Sequence, residues 1–175
     1  MPNYQPITTP AEIEHLIPDD RIAGINLREA VQGYLECAEW IDIDGDEETP
    51  DDWRDDWVGW SAEALTESAD DIRDLLSQIA KAGPLDWPEG YRDDQFGHDF
   101  WLTRNGHGTG YWDRGELTAR PNFPGAIQHA RHGNAYLPTS DIAGVTESWG
   151  HWLTRLSEIH GETHAYLDGG EGFLA

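Results

Sequence analysis

The sequence predicts a small α+β fold in which three to four helices pack on a small antiparallel sheet. Helical periodicity dominates the first half of the 175 residues, and strand-like segments with glycine-rich turns follow near 99–114 and 163–174. Neither an internal repeat nor a linker divides the chain. We therefore expect a single domain over residues 1–175, with a loose tail at residues 1–8 and an acidic loop at residues 41–56.

Two helices are predicted near the start of the chain. The first, Thr9–Pro18, has a threonine cap followed by proline at the first helical position. The second begins after Asn26, which forms a capping box with Glu29, and runs to about Trp40. Gly33 inside this helix costs roughly 1 kcal/mol relative to alanine, so we expect it to permit a close contact with another helix.

Two further helices follow from capping residues and apolar stripes. Ser61 caps a helix that runs towards Ala82, with Ser68 and Asp71 as an alternative later start. Either Ser140 or Thr146 caps the last helix, which ends at Gly161. The stripe of the earlier helix is Leu65, Ala69, Ile72, Leu75, Leu76 and Ile79. The stripe of the last helix is Val145, Trp149, Trp152, Leu153, Leu156 and Ile159. Segments rich in proline and glycine are expected to be irregular: residues 84–96 and 116–139.

The densest local signal is Gly97–Gly115, which reads GHDFWLTRNGHGTGYWDRG and predicts a β-hairpin. Aromatic and β-branched residues over Asp99–Arg104 favour a strand. Asn105-Gly106 then offers the positive φ of a tight turn before the short run Tyr111–Arg114. A second hairpin is expected around the Gly169-Gly170 turn, so both hairpins would contribute to the sheet.

Composition excludes several classes of partner. Acids outnumber bases 34 to 11, which gives a formal net charge of −23. Phosphate backbones and anionic lipids repel such a chain, so we expect a basic protein as partner and no direct contact with nucleic acid or membrane. The sequence shows no leader, no bilayer-spanning apolar run and a single cysteine, Cys37, which we place in the core. These features predict a cytoplasmic protein without a disulfide.

The acids are densest between Glu36 and Asp56, where eleven of them accompany one base, Arg54. Like charges at this density repel, so the middle of the run is expected to be a solvated loop. Four tryptophans should anchor its two ends because indole rings need cover: Trp40, Trp53, Trp57 and Trp60. The candidate partner-binding residues are the acids of this loop and of the outer face of the following helix: Asp42, Asp44, Asp46, Glu47, Glu48, Asp51, Asp52, Asp55, Asp56, Glu63, Glu67, Asp70 and Asp74.

Part of the acidic run alternates in the manner of a calcium-binding loop, at Asp42, Asp44 and Asp46. Glu47 and Trp53 occupy the positions where such a loop needs a glycine and a bidentate acid. We therefore expect only weak, nonspecific cation binding and no metal site.

A second candidate site lies in the predicted first hairpin. His98, His107 and Asp113 would come together there, where imidazoles and a carboxylate can act as an acid–base pair or hold a metal. Their spacing matches no metal motif, and His107 with Thr109 supplies only half of the paired His-x-Thr pattern of two-histidine phosphoesterases. We expect no catalytic residue and no cofactor, and these three residues form the alternative site.

The block Gly97–Gly108, with Gly110 and Trp112–Gly115, resembles a segment of small proteins encoded by bacteriophages and related mobile elements, most of which have no assigned function. The likeness extends to Tyr34–Ala38 and more weakly to the last helix and Tyr166–Gly172. The resemblance implies a phage-type accessory protein, located in the host cytoplasm, and implies no chemistry.

The leading hypothesis is a non-enzymatic accessory protein that presents its carboxylates to a basic, nucleic-acid-binding surface of a host protein. DNA-mimicking inhibitors of defence or repair enzymes act in this way. The enzymatic alternative is a small metal- or nucleotide-dependent hydrolase that uses His98, His107 and Asp113. The third alternative is a salt-adapted structural or virion-associated protein. The sequence predicts neither the identity of the target nor the oligomeric state.

Overall fold

The computed structural model describes residues 14–118, 141–142, 145–146 and 148–175. Four α-helices longer than one turn lie in these residues, and short strands accompany them, so the predicted α+β class is confirmed. The helices are α1, Leu27–Ala38; α2, Ala62–Ala80; α3, Asp93–Arg104; and α4, Trp149–Ser157. The strands are β1, Arg21–Ile22; β2, Ile25–Asn26; β3, Gly59–Trp60; β4, Asp141–Ile142; β5, Val145–Thr146; β6, Ala165–Asp168; and β7, Glu171–Leu174.

Some predictions fall on other parts of the chain. The tail at residues 1–8, the start of the Thr9–Pro18 helix, the cap Ser140 and most of the 116–139 segment lie outside the described residues. Within the described ranges, no helix is both long and apolar enough to cross a bilayer.

Helices α1 and α2 begin at their predicted caps. The Asn26 side chain accepts a hydrogen bond from the backbone N–H of Glu29 at 3.0 Å, and the Ser61 hydroxyl accepts one from Ala64 at 3.1 Å. All six residues of the predicted α2 stripe are buried. The last turn of α1 widens into a π-helical turn over Glu39–Ile43, which carries the chain into the acidic loop.

Helix α4 begins later than predicted. Ser148 is its cap and accepts a hydrogen bond from the backbone N–H of His151 at 3.3 Å. Thr146 lies in β5 instead, because the antiparallel pairing of β4 with β5 uses its backbone. The stripe residues within α4 are buried, whereas Ile159 lies beyond its end and is 42% exposed.

The segment Gly97–Gly115 does not form a β-hairpin, and that prediction is wrong. Its first part belongs to α3, which begins at Asp93, inside the 84–96 segment that was predicted to be irregular. Helix α3 lacks an amphipathic stripe because it is covered on most of its surface. Its buried residues are Phe96, Gly97, Asp99, Phe100, Trp101, Leu102, Thr103 and Arg104. Tertiary packing therefore overrides the strand preference of the aromatic residues.

The Asn105-Gly106 pair ends α3 and does not turn a hairpin. Gly106 has a φ of +65°, but Asn105 has a φ of −94°, whereas a type I′ hairpin turn needs positive φ at both residues. The N–H of Gly106 donates to the carbonyl of Thr103 at 3.2 Å, and the N–H of His107 donates to the carbonyl of Leu102 at 3.0 Å. This pairing is a Schellman motif, the common helix ending with a left-handed glycine.

Helices α1 and α3 cross at two glycines. A Cβ atom added to Gly33 would lie 1.9 Å from the carbonyl oxygen of Asp94, and one added to Gly97 would lie 1.7 Å from the carbonyl oxygen of Ala30. The two backbones are therefore in direct contact. The close approach expected at Gly33 is confirmed.

The second predicted hairpin is confirmed. Strands β6 and β7 pair in antiparallel fashion through a turn at Gly169 and Gly170, whose φ values of 58° and 85° fit a type I′ turn. Strand β3 adds to β7 in parallel, which gives the order β3-β7-β6. The sheet packs against both ends of the acidic loop: β6 contacts the Glu39–Ile43 turn, and the Gly169-Gly170 turn contacts Asp56.

A buried arginine ties the helices together. The Arg104 guanidinium donates to the Tyr34 hydroxyl at 2.7 Å, to the Asp71 carboxylate at 2.5 Å, and to the backbone carbonyls of His160 and Gly161 at 2.9 and 2.8 Å. These partners belong to α1, α2 and the chain that follows α4. Arg104, at the end of α3, thus connects α3 to α1, to α2 and to the segment after α4 through hydrogen bonds.

Candidate functional site

Two of the candidate acids serve the fold. Asp42 is largely covered, and its carboxylate accepts a hydrogen bond from the backbone N–H of Ala165 at 2.9 Å, which holds the π-helical turn against β6. Asp44 accepts hydrogen bonds from Arg54 at 2.7 Å and from the Trp53 indole at 3.4 Å. The hydrogen bond from Arg54 lowers the pKa of Asp44.

The other acids of the loop are exposed, as the charge density predicts. Asp46 accepts a hydrogen bond from the backbone N–H of Glu48 at 2.9 Å, which shapes a local turn. The exposed acids of the loop, together with those on the outer face of α2, are named here the carboxylate surface: Asp46, Glu47, Glu48, Asp51, Asp52, Asp55, Asp56, Glu63, Glu67, Asp70 and Asp74.

Tryptophans anchor the loop at one end. The rings of Trp53 and Trp57 meet edge to face at 5.1 Å, those of Trp57 and Trp60 at 5.7 Å, and all three residues are buried. Trp40 is 58% exposed, so the prediction that it is covered is wrong. Its end of the loop is held by Ile43, which is buried in the core.

The helical part of the carboxylate surface forms a shallow groove of about 570 Å³ along the first turns of α2. Its walls include Glu63, Glu67, Asp70 and Asp71. These acids share one face because Glu67 lies four residues after Glu63, and Asp70 and Asp71 lie three and four residues after Glu67. Asp70 pairs with Arg73 at 2.5 Å on the exposed surface. Asp71 pairs with Arg104, and within the described residues no ion pair involves Glu63 or Glu67. The groove therefore stays negative.

Strand β7 brings the loop and the groove together. The backbone carbonyl of Asp56 lies against Gly170, where an added Cβ would approach it to 2.3 Å. The N–H of Ser61, the cap of α2, donates to the carbonyl of Gly172 at 2.9 Å. The end of the acidic loop therefore rests on the hairpin turn at Gly170, and the start of α2 rests on β7 two residues further along the chain.

No described hydrogen bond or ion pair joins the residues of the alternative site to each other. His98 is on α3, with its ring 3.4 Å from Arg114 and 3.6 Å from Asp99. Within the described residues, neither His107, which follows the helix end, nor the exposed Asp113 makes a hydrogen bond or ion pair with His98. The same ranges contain no group of three or more His, Cys, Asp or Glu side chains that could hold a metal ion.

The polar network beside His98 was not foreseen. Asp99 is completely buried and accepts hydrogen bonds from the Tyr91 hydroxyl at 3.0 Å and from Arg114 at 2.7 Å. Burial raises the pKa of Tyr91, and the neighbouring Asp99 raises it further, so the phenol stays a donor. The network fastens the 3-10 turns Tyr111–Asp113 and Gly115–Thr118 to α3, which is a structural role. No local sequence pattern links such distant partners.

Cys37 is buried in α1, as expected. Burial raises its pKa to about 12, so the thiol stays protonated at neutral pH and is a poor nucleophile.

No family model, curated protein sequence or solved structure matches this chain at a significant level. Function therefore has to be inferred from the described side chains and their arrangement.

Proposed function

We propose that the chain is a non-enzymatic accessory protein whose carboxylates occupy a basic, nucleic-acid-binding surface of another protein. In this role it acts as a DNA mimic that inhibits a defence or nucleic-acid-processing enzyme. The resemblance of Gly97–Gly115 to bacteriophage proteins supports a phage-type setting in a host cytoplasm.

The observation that carries the proposal is the row of exposed carboxylates on α2. Glu63, Glu67, Asp70 and Asp74 succeed each other by three or four residues, so they lie about 4.5–6 Å apart along the helix axis. A helix packed on the core fixes these charges in space, unlike charges on a disordered tail. A regular row of fixed negative charges is what a groove built for phosphates recognises.

The paired arginines of the described residues neutralise little of the negative field. Six arginines pair with acids in the described residues: Arg21 with Asp93, Arg54 with Asp44, Arg73 with Asp70, Arg92 with Asp94, Arg104 with Asp71, and Arg114 with Asp99. Only Arg54 and Arg73 pair with acids of the loop or of the α2 row. The carboxylate surface therefore keeps most of its charge, which attracts a basic partner over several ångströms.

The test is retention of proteins from a nuclease-treated bacterial lysate on the immobilised chain at low salt. We expect nucleic-acid-binding proteins to be retained and to be released by added double-stranded DNA as well as by salt. The variant Glu63→Gln/Glu67→Gln/Asp70→Asn should lose them, because it removes part of the row. A matched variant removes three exposed acids elsewhere: Asp86→Asn, Glu89→Gln and Glu162→Gln.

Two results would contradict the proposal. One is retention that DNA does not displace, since a DNA mimic and DNA must compete for one surface. The other is equal loss of binding in the α2 variant and the matched variant, which would show that net charge alone is responsible.

A further inference from the structure

The outer face of the β6–β7 hairpin carries an aromatic pair, in which Tyr166 is exposed and Phe173 is half-buried. Tyr166 and Phe173 lie directly opposite each other in the antiparallel register, and their rings stack at 5.5 Å with an interplanar angle of 21°. Side chains alternate between the faces of a strand, so Ala165 and Leu167 point to the core instead. Tyr166 is 45% exposed.

Carboxylates border this pair. Asp168 and Glu171 form the next opposed pair on the same face, about 7 Å further along the strands, and both are exposed. Beyond them the hairpin turn meets the end of the acidic loop, where Asp56 rests against Gly170. We name the four residues Tyr166, Phe173, Asp168 and Glu171 the aromatic platform.

We propose that the aromatic platform is the docking site for arginine side chains of the basic partner, an inference that rests on the proposed function. A guanidinium is planar, stacks on aromatic rings and binds a carboxylate through two parallel hydrogen bonds. An ammonium is a compact and strongly hydrated charge that makes neither contact as well. The platform offers a ring face and, at the next opposed pair on the same face, two carboxylates.

The molecule contains this kind of contact elsewhere. The Arg54 guanidinium lies 4.5 Å from the centroid of the Trp53 ring and donates to Asp44 at 2.7 Å. One arginine thus engages a ring and a carboxylate at the same time, on the neighbouring acidic loop. The platform presents a similar pair of groups without an arginine from its own chain among the described residues.

A second copy of this chain is a poorer occupant for the platform. Face-to-face pairing would bring the carboxylates of Asp168 and Glu171 from two chains together, and each chain has a formal net charge of −23. Like charges directly opposite each other destabilise such a pairing. The platform is therefore better matched to a partner of opposite charge.

The experiment measures the binding of two fluorescent peptides by anisotropy at low ionic strength, one alternating arginine with serine and the other lysine with serine. We expect the arginine peptide to bind about fivefold more tightly, since guanidinium stacking favours it. Tyr166→Ala should weaken the arginine peptide by about the same factor, and Tyr166→Phe should retain its binding. Trp112→Ala is the matched control, because Trp112 is also an exposed aromatic residue but lies on the 3-10 turn beside α4.

The variant Asp168→Asn/Glu171→Gln tests the carboxylates and leaves both rings in place, so the inference stays testable if Tyr166→Ala fails to fold. Equal affinity for the two peptides, or arginine binding that Tyr166→Ala and the Asp168/Glu171 variant both leave unchanged, would overturn the inference. So would a dimer in sedimentation that Tyr166→Ala dissolves. If the α2 variant weakens the arginine peptide while Tyr166→Ala does not, the proposed function stands and the platform is excluded.

Discussion

His160 is a buried imidazole that sits among charges at the end of α4. Its side chain is 7% exposed, its ring lies edge-on to Phe100 at 5.2 Å, and its buried Nε2 has no hydrogen-bond partner in the described residues. Asp71 and Asp74 face the ring at 4.0 and 3.7 Å, and Arg104 holds its backbone carbonyl. Burial outweighs the two carboxylates and lowers the pKa of His160.

This environment predicts a loss of stability in mild acid. An unfolded histidine binds a proton near pH 6.5, whereas folded His160 binds one only at lower pH. Between those two pH values the unfolded chain holds more protons, so the free energy of unfolding falls as the pH is lowered. The slope reaches at most about 1.4 kcal/mol per pH unit. Urea denaturation between pH 8 and pH 5 measures it.

His160→Gln should remove this part of the pH dependence. The exposed His151 provides the control variant His151→Gln, which accounts for the loss of an imidazole as such. A His160→Gln protein whose stability follows the same pH profile as the wild type would show that the buried imidazole is not responsible.

At the scale of elements, the crossing of α1 and α3 depends on glycine at both contact points. We expect Gly97→Ala to lower the free energy of unfolding by at least about 2 kcal/mol, because the methyl group would overlap the backbone carbonyl of Ala30. This cost exceeds the gain of about 1 kcal/mol in helix propensity. Urea denaturation of Gly97→Ala and wild type measures the difference.

Gly108→Ala is the control for this substitution, since a Cβ atom at Gly108 meets nothing within 4 Å. Its stability should lie within about 0.5 kcal/mol of the wild type. Equal stability of Gly97→Ala and Gly108→Ala would mean that the two helices are further apart than the structure places them.

The same elements show what the sequence can predict. Helices α1 and α2 follow from local signals, because Asn26 and Ser61 cap them and their apolar residues repeat at helical spacing. The β6–β7 hairpin follows from its Gly169-Gly170 turn. Helix α3 has neither signal: its cap residue Arg92 makes no side-chain capping hydrogen bond, and burial on most sides removes the periodic pattern. Its structure depends on partners that are distant in sequence.

The candidate site likewise has one feature that the sequence predicts and others that it does not. Exposure of the acidic loop follows from mutual repulsion, which composition reveals. The internal roles of Asp42 and Asp44 depend on β6 and on Arg54, and the opposition of Tyr166 to Phe173 depends on strand register. Contacts of this kind arise from the fold and leave no local pattern in the sequence.

The whole molecule carries its negative charge unevenly, and this predicts how its stability responds to salt. Acids of the loop repel each other at low ionic strength, and screening shortens the reach of that repulsion from about 10 Å at 0.1 M salt to about 3 Å at 1 M. We expect the wild-type chain to gain stability with sodium chloride at low concentrations and to level off below molar salt. A salt-adapted protein would continue to gain stability in molar salt, so the two readings of the charge predict different curves.

The loop variant Asp51→Asn/Asp52→Asn/Asp55→Asn/Asp56→Asn locates the source of this effect. All four side chains are exposed, so the substitutions should leave the fold intact and raise stability at low salt by about 1 kcal/mol, with a flatter salt curve. A comparison variant removes four exposed acids that lie outside the loop: Asp86→Asn, Glu89→Gln, Glu158→Gln and Glu162→Gln. If both variants flatten the salt curve equally, total charge governs stability. If only the loop variant flattens it, the repulsion is concentrated in the loop. A basic partner that binds the loop would then relieve that repulsion.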